Sequence, residues 1–241
     1  DAGEIYLIYG DASLPSSIDI ASLGARGTQF YGAGAGDLAG ASASGVGDVN
    51  GDGYADFLIG VPQAGVSQEG VSLLIGGNAN LPSFAVVPLA APGAVAMTIW
   101  GADASDHSGR SVSGAGDVNA DGYDDLLIGA DGAAAAGNAK AGAGESYVLF
   151  GSANPSPVVY LWSLGATDAI AVFGARVGDQ SGHSVRTAGD LNGDGFDDIS
   201  IGAPLADAAG DAKGAAGDSY AVFGANSFTS SVTHLGTSGN D

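Results

Sequence analysis

The sequence contains no cysteine, so disulfides, zinc–thiolate sites and iron–sulfur clusters are excluded. It is poor in positive charge: 6 Lys and Arg stand against 27 Asp and Glu, a formal net charge of −21. Such a chain has little with which to displace counterions from phosphates, which excludes nucleic acid as a partner. It is also repelled by anionic membrane surfaces. Glutamate is scarce as well. Only Glu4, Glu69 and Glu145 are glutamate, and the short aspartate side chain that replaces it elsewhere suits tight turns and hard cations. The longest apolar stretch, residues 85–100, is broken by Pro88, Pro92 and Gly93. It is too short to cross a bilayer, and no membrane insertion is expected. The chain starts at Asp1 without a signal-peptide pattern, which reads as a mature product or a piece of a longer polypeptide.

Glycine and repetition are what the sequence has in plenty. Of 241 residues 43 are glycine, without the period of three that a collagen helix needs. An apolar fraction of 45% is enough to build a core and excludes global disorder. Three segments, residues 45–60, 114–129 and 187–202, align without a gap. An aromatic–glycine pair precedes each (Tyr31-Gly32, Trp100-Gly101, Phe173-Gly174), and so does an aspartate (Asp37, Asp106, Asp179). A second unit, a short apolar strand between glycines, recurs at residues 3–10, 70–77, 144–151 and 217–224.

Each repeat reads as four short strands separated by Gly-rich turns, with no sustained helical period. The first strand is small and polar (41–47, 111–116, 184–189), and the second is apolar (57–59, 126–128, 199–201). The third is the aromatic unit, and the fourth ends at the aromatic–glycine pair (28–31, 97–100, 171–173). Only Gly, Ala and Ser leave room where blades converge on an axis. We therefore expect an all-β chain, a β-propeller of four-stranded antiparallel blades with about three and a half blades present. The blades would be a partial one over residues 1–40, then 41–109, 110–182 and 183–236, with 237–241 beginning a linker. The Gly/Ala tract 131–144 is expected to be a mobile loop.

The chemistry lies in Asp-x-Asn-x-Asp-Gly-x-x-Asp. Side-chain oxygens at loop positions 1, 3, 5 and 9 and a backbone carbonyl at position 7 can wrap a cation that takes 6–8 oxygens, and glycine at position 6 allows the sharp turn. Three Ca²⁺ sites are predicted. They are Asp48, Asn50, Asp52, the Tyr54 carbonyl and Asp56; Asp117, Asn119, Asp121, the Tyr123 carbonyl and Asp125; and Asp190, Asn192, Asp194, the Phe196 carbonyl and Asp198. An EF-hand needs Glu at loop position 12. Ile59, Ile128 and Ile201 stand there instead. At loop position 8, Asp124 and Asp197 are expected to face solvent.

This order of motifs, closing on Gly202-Ala-Pro204 and Gly217-Asp-Ser-Tyr-Ala-Val-Phe-Gly224, resembles the FG-GAP repeat. That repeat builds the calcium-binding β-propeller of integrin α subunits and of many bacterial surface proteins. Gly129-Ala-Asp131 departs from the pattern where the others carry proline. The resemblance implies calcium in the hairpin between strands one and two, and ligand contacts from the loops of the opposite face. Family propellers have more blades than this chain supplies. Leu235–Asp241 resembles the lead-in to RTX-type secreted repeats. Together these imply a secreted or cell-surface protein of bacterial extracellular type.

No catalytic constellation is found. Ser111 and Ser184 lack a nucleophile elbow and a partner base. His107, His183 and His234 have no metal-ligand spacing and read as surface loop residues. Asp37, Asp106 and Asp179 read as loop fasteners. The leading expectation is a calcium-stabilised recognition or adhesion module with an unidentified protein or glycan ligand, and not an enzyme. A ligand-free spacer, a glycan-binding propeller and a non-catalytic part of a secreted enzyme are the alternatives. About three blades would leave apolar faces such as Leu126, Ile128, Val148 and Phe150 near open edges. We therefore expect pairing with another chain or with the rest of a longer propeller.

Overall fold

The computed structural model describes residues 2–78, 86–90, 95–165, 167–207 and 216–227. Among them, fifteen strands form four sheets. In the first, β1 (Glu4–Ile8) pairs antiparallel with β2 (Gly27–Tyr31), and β6 (Val86–Pro88) adds parallel to β2. The second runs β3 (Ser42–Gly47), β4 (Asp56–Val61), β5 (Val71–Ile75), β7 (Met97–Trp100), with β11 (Val158–Tyr160) parallel on the outer edge. The third is the antiparallel meander β8 (Ser111–Gly116), β9 (Asp125–Ala130), β10 (Glu145–Leu149), β12 (Ala169–Phe173). The fourth is β13 (Ser184–Gly189), β14 (Asp198–Ala203), β15 (Asp218–Val222). These sheets are consistent with propeller blades. No described strand of the fourth pairs with the first, so the described set does not close.

Period-two alternation decides how the sheets pack. Along β9, Leu126 and Ile128 face the second sheet, where they meet Leu58, Leu74, Met97 and Ile99. Leu127 faces the fourth sheet and meets Val185, Ile199 and Ile201. On β4, Leu58 packs toward the third sheet and Ile59 toward the first, beside Ile5 and Phe30. Each such fully buried Leu or Ile contributes about 1.5–3 kcal/mol of transfer free energy, so the inter-sheet layers carry most of the fold.

The small first strands stand side by side. The Ser42 hydroxyl accepts the Val112 N–H at 2.9 Å, and the Ser111 hydroxyl accepts the Val185 N–H at 3.0 Å. The two serines thus stitch neighbouring sheets, which accounts for Ser111 without any chemistry. Each first strand ends in a register shift, between Gly45 and Gly47, Gly114 and Gly116, and Thr187 and Gly189. This irregularity re-aims the chain just before the first aspartate of each loop.

The four strand types lie where the repeat places them, with the second strands longer at both ends than the expected 57–59, 126–128 and 199–201. Three expectations are corrected. β6 and β11 are additional strands, each reaching from the connection after a third strand onto the fourth strand of the preceding sheet. The Gly/Ala tract is packed rather than loose: it contains the helical turn α1 (Ala135–Asn138), and Ala133, Ala135 and Ala143 are buried. Leu126, Ile128 and Val148 are buried between sheets and not at an open edge. The residue on β14 that points away from this core is Ser200, where β4 and β9 carry Leu58 and Leu127. His234 and Leu235–Asp241 lie outside the described residues.

Candidate functional site

The three hairpins joining first to second strands fold alike because their aspartates and asparagines compete for the local backbone N–H groups. In the first, Asp48 accepts the N–H of Asp52 at 3.0 Å and of Gly53 at 2.8 Å. Asn50 Oδ1 also accepts the Asp52 N–H, its Nδ2 donates to Asp52 Oδ2, and Asp52 Oδ1 accepts the Tyr54 N–H. Asp117, Asn119 and Asp121 repeat the pattern with the N–H groups of Asp121, Gly122 and Tyr123. Asp190, Asn192 and Asp194 repeat it with those of Asp194, Gly195 and Phe196. Backbone N–H donors, that of Gly195 foremost, hold the Asp190 carboxyl below the usual carboxylate range. The structure thus brings positions 1, 3 and 5 of each predicted site together on one exposed turn.

Position 9 behaves differently. Asp56, Asp125 and Asp198 are buried, and each carboxylate spends both oxygens on backbone N–H groups. One oxygen accepts from the residue after the loop's first aspartate: Val49 at 3.1 Å, Val118 at 2.9 Å or Leu191 at 2.8 Å. The other accepts from the glycine two residues beyond the third strand: Gly77 at 2.8 Å, Gly151 at 2.8 Å or Gly224 at 2.9 Å. This aspartate buckles the hairpin to the end of strand three. Burial pushes the Asp56 carboxyl up, and pushes Asp125 up to about 7, against the pull of those two N–H donors. The neighbouring loop carboxylates add to the rise. Among the described residues no three His, Asp or Glu side chains converge as a metal cluster. Each turn thus gathers the carboxylates of positions 1 and 5 and the amide of position 3, with the position-9 carboxylate turned to the hairpin's base.

Position 8 corrects the sequence reading. Asp124 and Asp197 are half-buried and face the preceding hairpin. Asp124 Oδ2 accepts the Asp48 N–H at 2.8 Å, and Asp197 Oδ2 accepts the Asp117 N–H at 3.0 Å. Gly47 and Gly116, at φ +77° and +76°, leave the space: a Cβ there would lie 2.1 Å from the same carboxylate oxygens. The available signal was that Asp occupies this position in the second and third loops while the first has Ala55.

On the opposite face, the recurring aspartates fasten the loops after the fourth strands. Asp37, Asp106 and Asp179 accept the N–H of Gly34, Asp103 and Arg176 respectively. His107 and His183, unrelated in the repeat, meet around the buried Asp131, which stands where the other two repeats carry Pro62 and Pro204. His183 Nδ1 lies 2.8 Å and His107 Nδ1 3.7 Å from its oxygens, with Arg110 Nε at 3.6 Å. No described helix is long and apolar enough to cross a membrane.

The FG-GAP repeat profile matches residues 39–74, 108–149 and 181–222. Mouse integrin alpha-8 is 37% identical over 134 residues, 55% of this chain and 11% of the relative. Drosophila integrin alpha-PS3 is 29% identical over 167 residues, 67% of this chain and 13% of the relative. Xenopus integrin alpha-5 is 30% identical over 171 residues, 66% of this chain and 13% of the relative. The chain therefore spans about an eighth of the length of these relatives. Its repeats are FG-GAP repeats homologous to those of integrin alpha chains.

Proposed function

We propose that the chain is a calcium-stabilised β-propeller module for extracellular recognition or adhesion, with the metal structural. The observation that carries the reading is the threefold loop: Asp48, Asn50 and Asp52, and their counterparts in the other two hairpins, crowd oxygen donors onto one exposed turn. Like charges so close repel unless a cation sits among them. Calcium tolerates a variable number of oxygens at 2.3–2.6 Å and needs no thiolate or imidazole, neither of which these loops offer. The Tyr54, Tyr123 and Phe196 carbonyls complete each set. Asp56, Asp125 and Asp198 either turn from their backbone partners to the metal or shape the loop from behind. The homology to integrin alpha chains supports the extracellular setting and a non-enzymatic role.

The test is calorimetric titration of the full chain with calcium, joined to thermal melts in calcium and in EDTA. Dissociation constants on the order of 10⁻⁴–10⁻³ M are expected, as for extracellular modules, with a melting temperature that rises with calcium by linkage. Identical melts in calcium and EDTA would refute the structural role.

A further inference from the structure

A cavity of about 560 Å³ opens beneath the connection from β10 to β12, on the face that carries the hairpin loops. Its apolar floor is Leu126 and Leu149. Asn119 and Asp121 of the second hairpin form one wall, Asp168 lies on its lining and Tyr160 borders it. Ser152, Asn154, Ser156, Ser163 and Thr167 also line it, so a small apolar floor is ringed by hydroxyl, amide and carboxylate groups, at a volume in the range of small-molecule sites.

A second observation is independent of the cavity. Tyr160 packs against Trp162 in a tilted contact, with ring centroids 4.5 Å apart and planes inclined by 39°. Both rings are solvent-facing, Trp162 at 60% exposure. The pair is particular to this repeat. Tyr160 precedes the turn Leu161–Ser163 as Asp19 precedes the turn Ile20–Ser22, so Asp19 and Ala21 occupy the corresponding places. Likewise β11 ends at Tyr160 as β6 ends at Pro88, so Pro88 and Ala90 correspond there. Among the described residues such a pair of solvent-facing rings occurs at this repeat alone, with Tyr160 on the cavity lining and Trp162 packed against it; the turn Ile20–Ser22 and the strand β6 each form without an aromatic at these places.

We propose that this cavity binds a neutral saccharide, with a sugar ring laid on Tyr160 at its border, Trp162 extending the aromatic surface beyond the lining, and the sugar hydroxyls hydrogen-bonded to Asn119, Asp121 and Asp168. A pyranose has a flat C–H face that suits an aromatic ring and an edge of hydroxyl donors that suits carboxylate and amide acceptors. The described lining holds carboxylates and no Lys or Arg, so uronic, sialic and sulphated sugars are disfavoured. Asp121 belongs both to the wall and to the second hairpin, where it accepts the Tyr123 N–H. Ordering of that hairpin therefore shapes the cavity. This deepens the recognition reading by giving the ligand a class, and rests on it in that respect.

The experiment is a glycan array probed with the full chain in calcium, followed by tryptophan-fluorescence titration with the neutral di- and trisaccharides that score. Binding to neutral glycans is expected, with Trp162→Ala weakening it by about tenfold, the scale of one aromatic contact, and Trp162→Phe retaining most of it. Trp162 is exposed, so neither variant should move the melt, which is checked alongside. The proposal is overturned if the wild-type chain binds no array glycan, if anionic glycans bind in preference, or if Trp162→Ala and Tyr160→Ala both bind as well as wild type. Calcium calorimetry on the same preparation separates the two readings. Calcium binding without glycan binding refutes the cavity alone, and glycan binding without calcium binding refutes the loops alone.

Discussion

Asp124 and Asp48 hold two neighbouring hairpins together by a reciprocal pair of bonds. The Asp48 N–H donates to the Asp124 carboxylate at 2.8 Å, and the Asp124 N–H donates to the Asp48 carbonyl at 3.2 Å. Asp197 and Asp117 repeat the pair one sheet further on, at 3.0 and 3.2 Å. The first residue of each candidate metal loop so clasped is fixed by the following sheet, so loop geometry and sheet stacking are coupled.

Replacing Asp124 by alanine should cost about 1.5–3 kcal/mol, the usual range for a hydrogen bond to a charged group. At this chain length that lowers the melting temperature by roughly 2–4 °C per kcal/mol. Asp197→Ala should behave alike, and the two should be nearly additive, because they close different pairs of hairpins. Urea denaturation of the two single variants and the double variant checks this. No loss in either single variant would show that the clasp is incidental.

Gly47→Ala should damage the same clasp from the other side. The new Cβ would lie 2.1 Å from the Asp124 oxygen, and the backbone there has φ +77°. A left-handed residue costs an L side chain about 1–2 kcal/mol before any clash. The loss should therefore exceed that backbone cost, and it should shrink when Asp124 is also alanine. A double-mutant cycle measures the coupling, and strict additivity would contradict the contact.

Asp121 and Asp125, four residues apart in one loop, should separate metal binding from folding. Asp121 is exposed and bonds only within its turn. Asp121→Ala should lower the calcium count from about three ions to two by mass spectrometry, with little effect on the melt in EDTA, since each sheet meets mainly its neighbours. Asp125→Ala strands the buried N–H groups of Val118 and Gly151. It should destabilise the chain by several kcal/mol with or without calcium, at about 1–3 kcal/mol per orphaned buried group. If the two variants had the same profile, position 9 would be a plain metal ligand and not a buckle.

Much of this was legible in the sequence, because the gap-free repeat of Asp-x-Asn-x-Asp-Gly and the alternation around Leu126-Leu-Ile128 are local signals. Each is a pattern complete within a single hairpin or strand. What stayed hidden depends on the neighbouring sheet. Asp124 looks like a solvated loop acid until Asp48 is placed beside it. β6 and β11 are three residues each, and β6 contains Pro88, so despite their strand-forming valines they are too short to signal a strand alone, and the edge of the preceding sheet makes them strands. The dual use of position 9 was also concealed. The spacing that lets Asp56 reach a metal equally lets it reach Val49 and Gly77, and a sequence pattern cannot distinguish the two. Asp131 was visible as a departure from proline, but its meeting with His107 and His183 requires two loops to be brought together in space.

Asp106 gives a pH dependence whose sign follows from its burial. Its carboxylate accepts the Asp103 N–H at 2.8 Å, yet burial, with repulsion from Glu145 and Asp103, pushes it up to about 7. In the unfolded chain an aspartate titrates near ~3.9. Between those values the folded state binds more protons than the unfolded one, so stability falls as pH rises. The contribution is fully present below pH ~4 and is lost as pH passes the folded value near 7. The substitution Asp106→Asn keeps an acceptor oxygen for the Asp103 N–H and removes the charge at every pH. The variant should therefore match the parent at pH 4 and exceed it at pH 8 by about 1 kcal/mol or more, roughly 2–4 °C. The melts belong in EDTA, where protonation of the hairpin loops cannot act through calcium release. A variant less stable than the parent at pH 8 would mean that the charged carboxylate, and not merely an acceptor oxygen, fastens this loop.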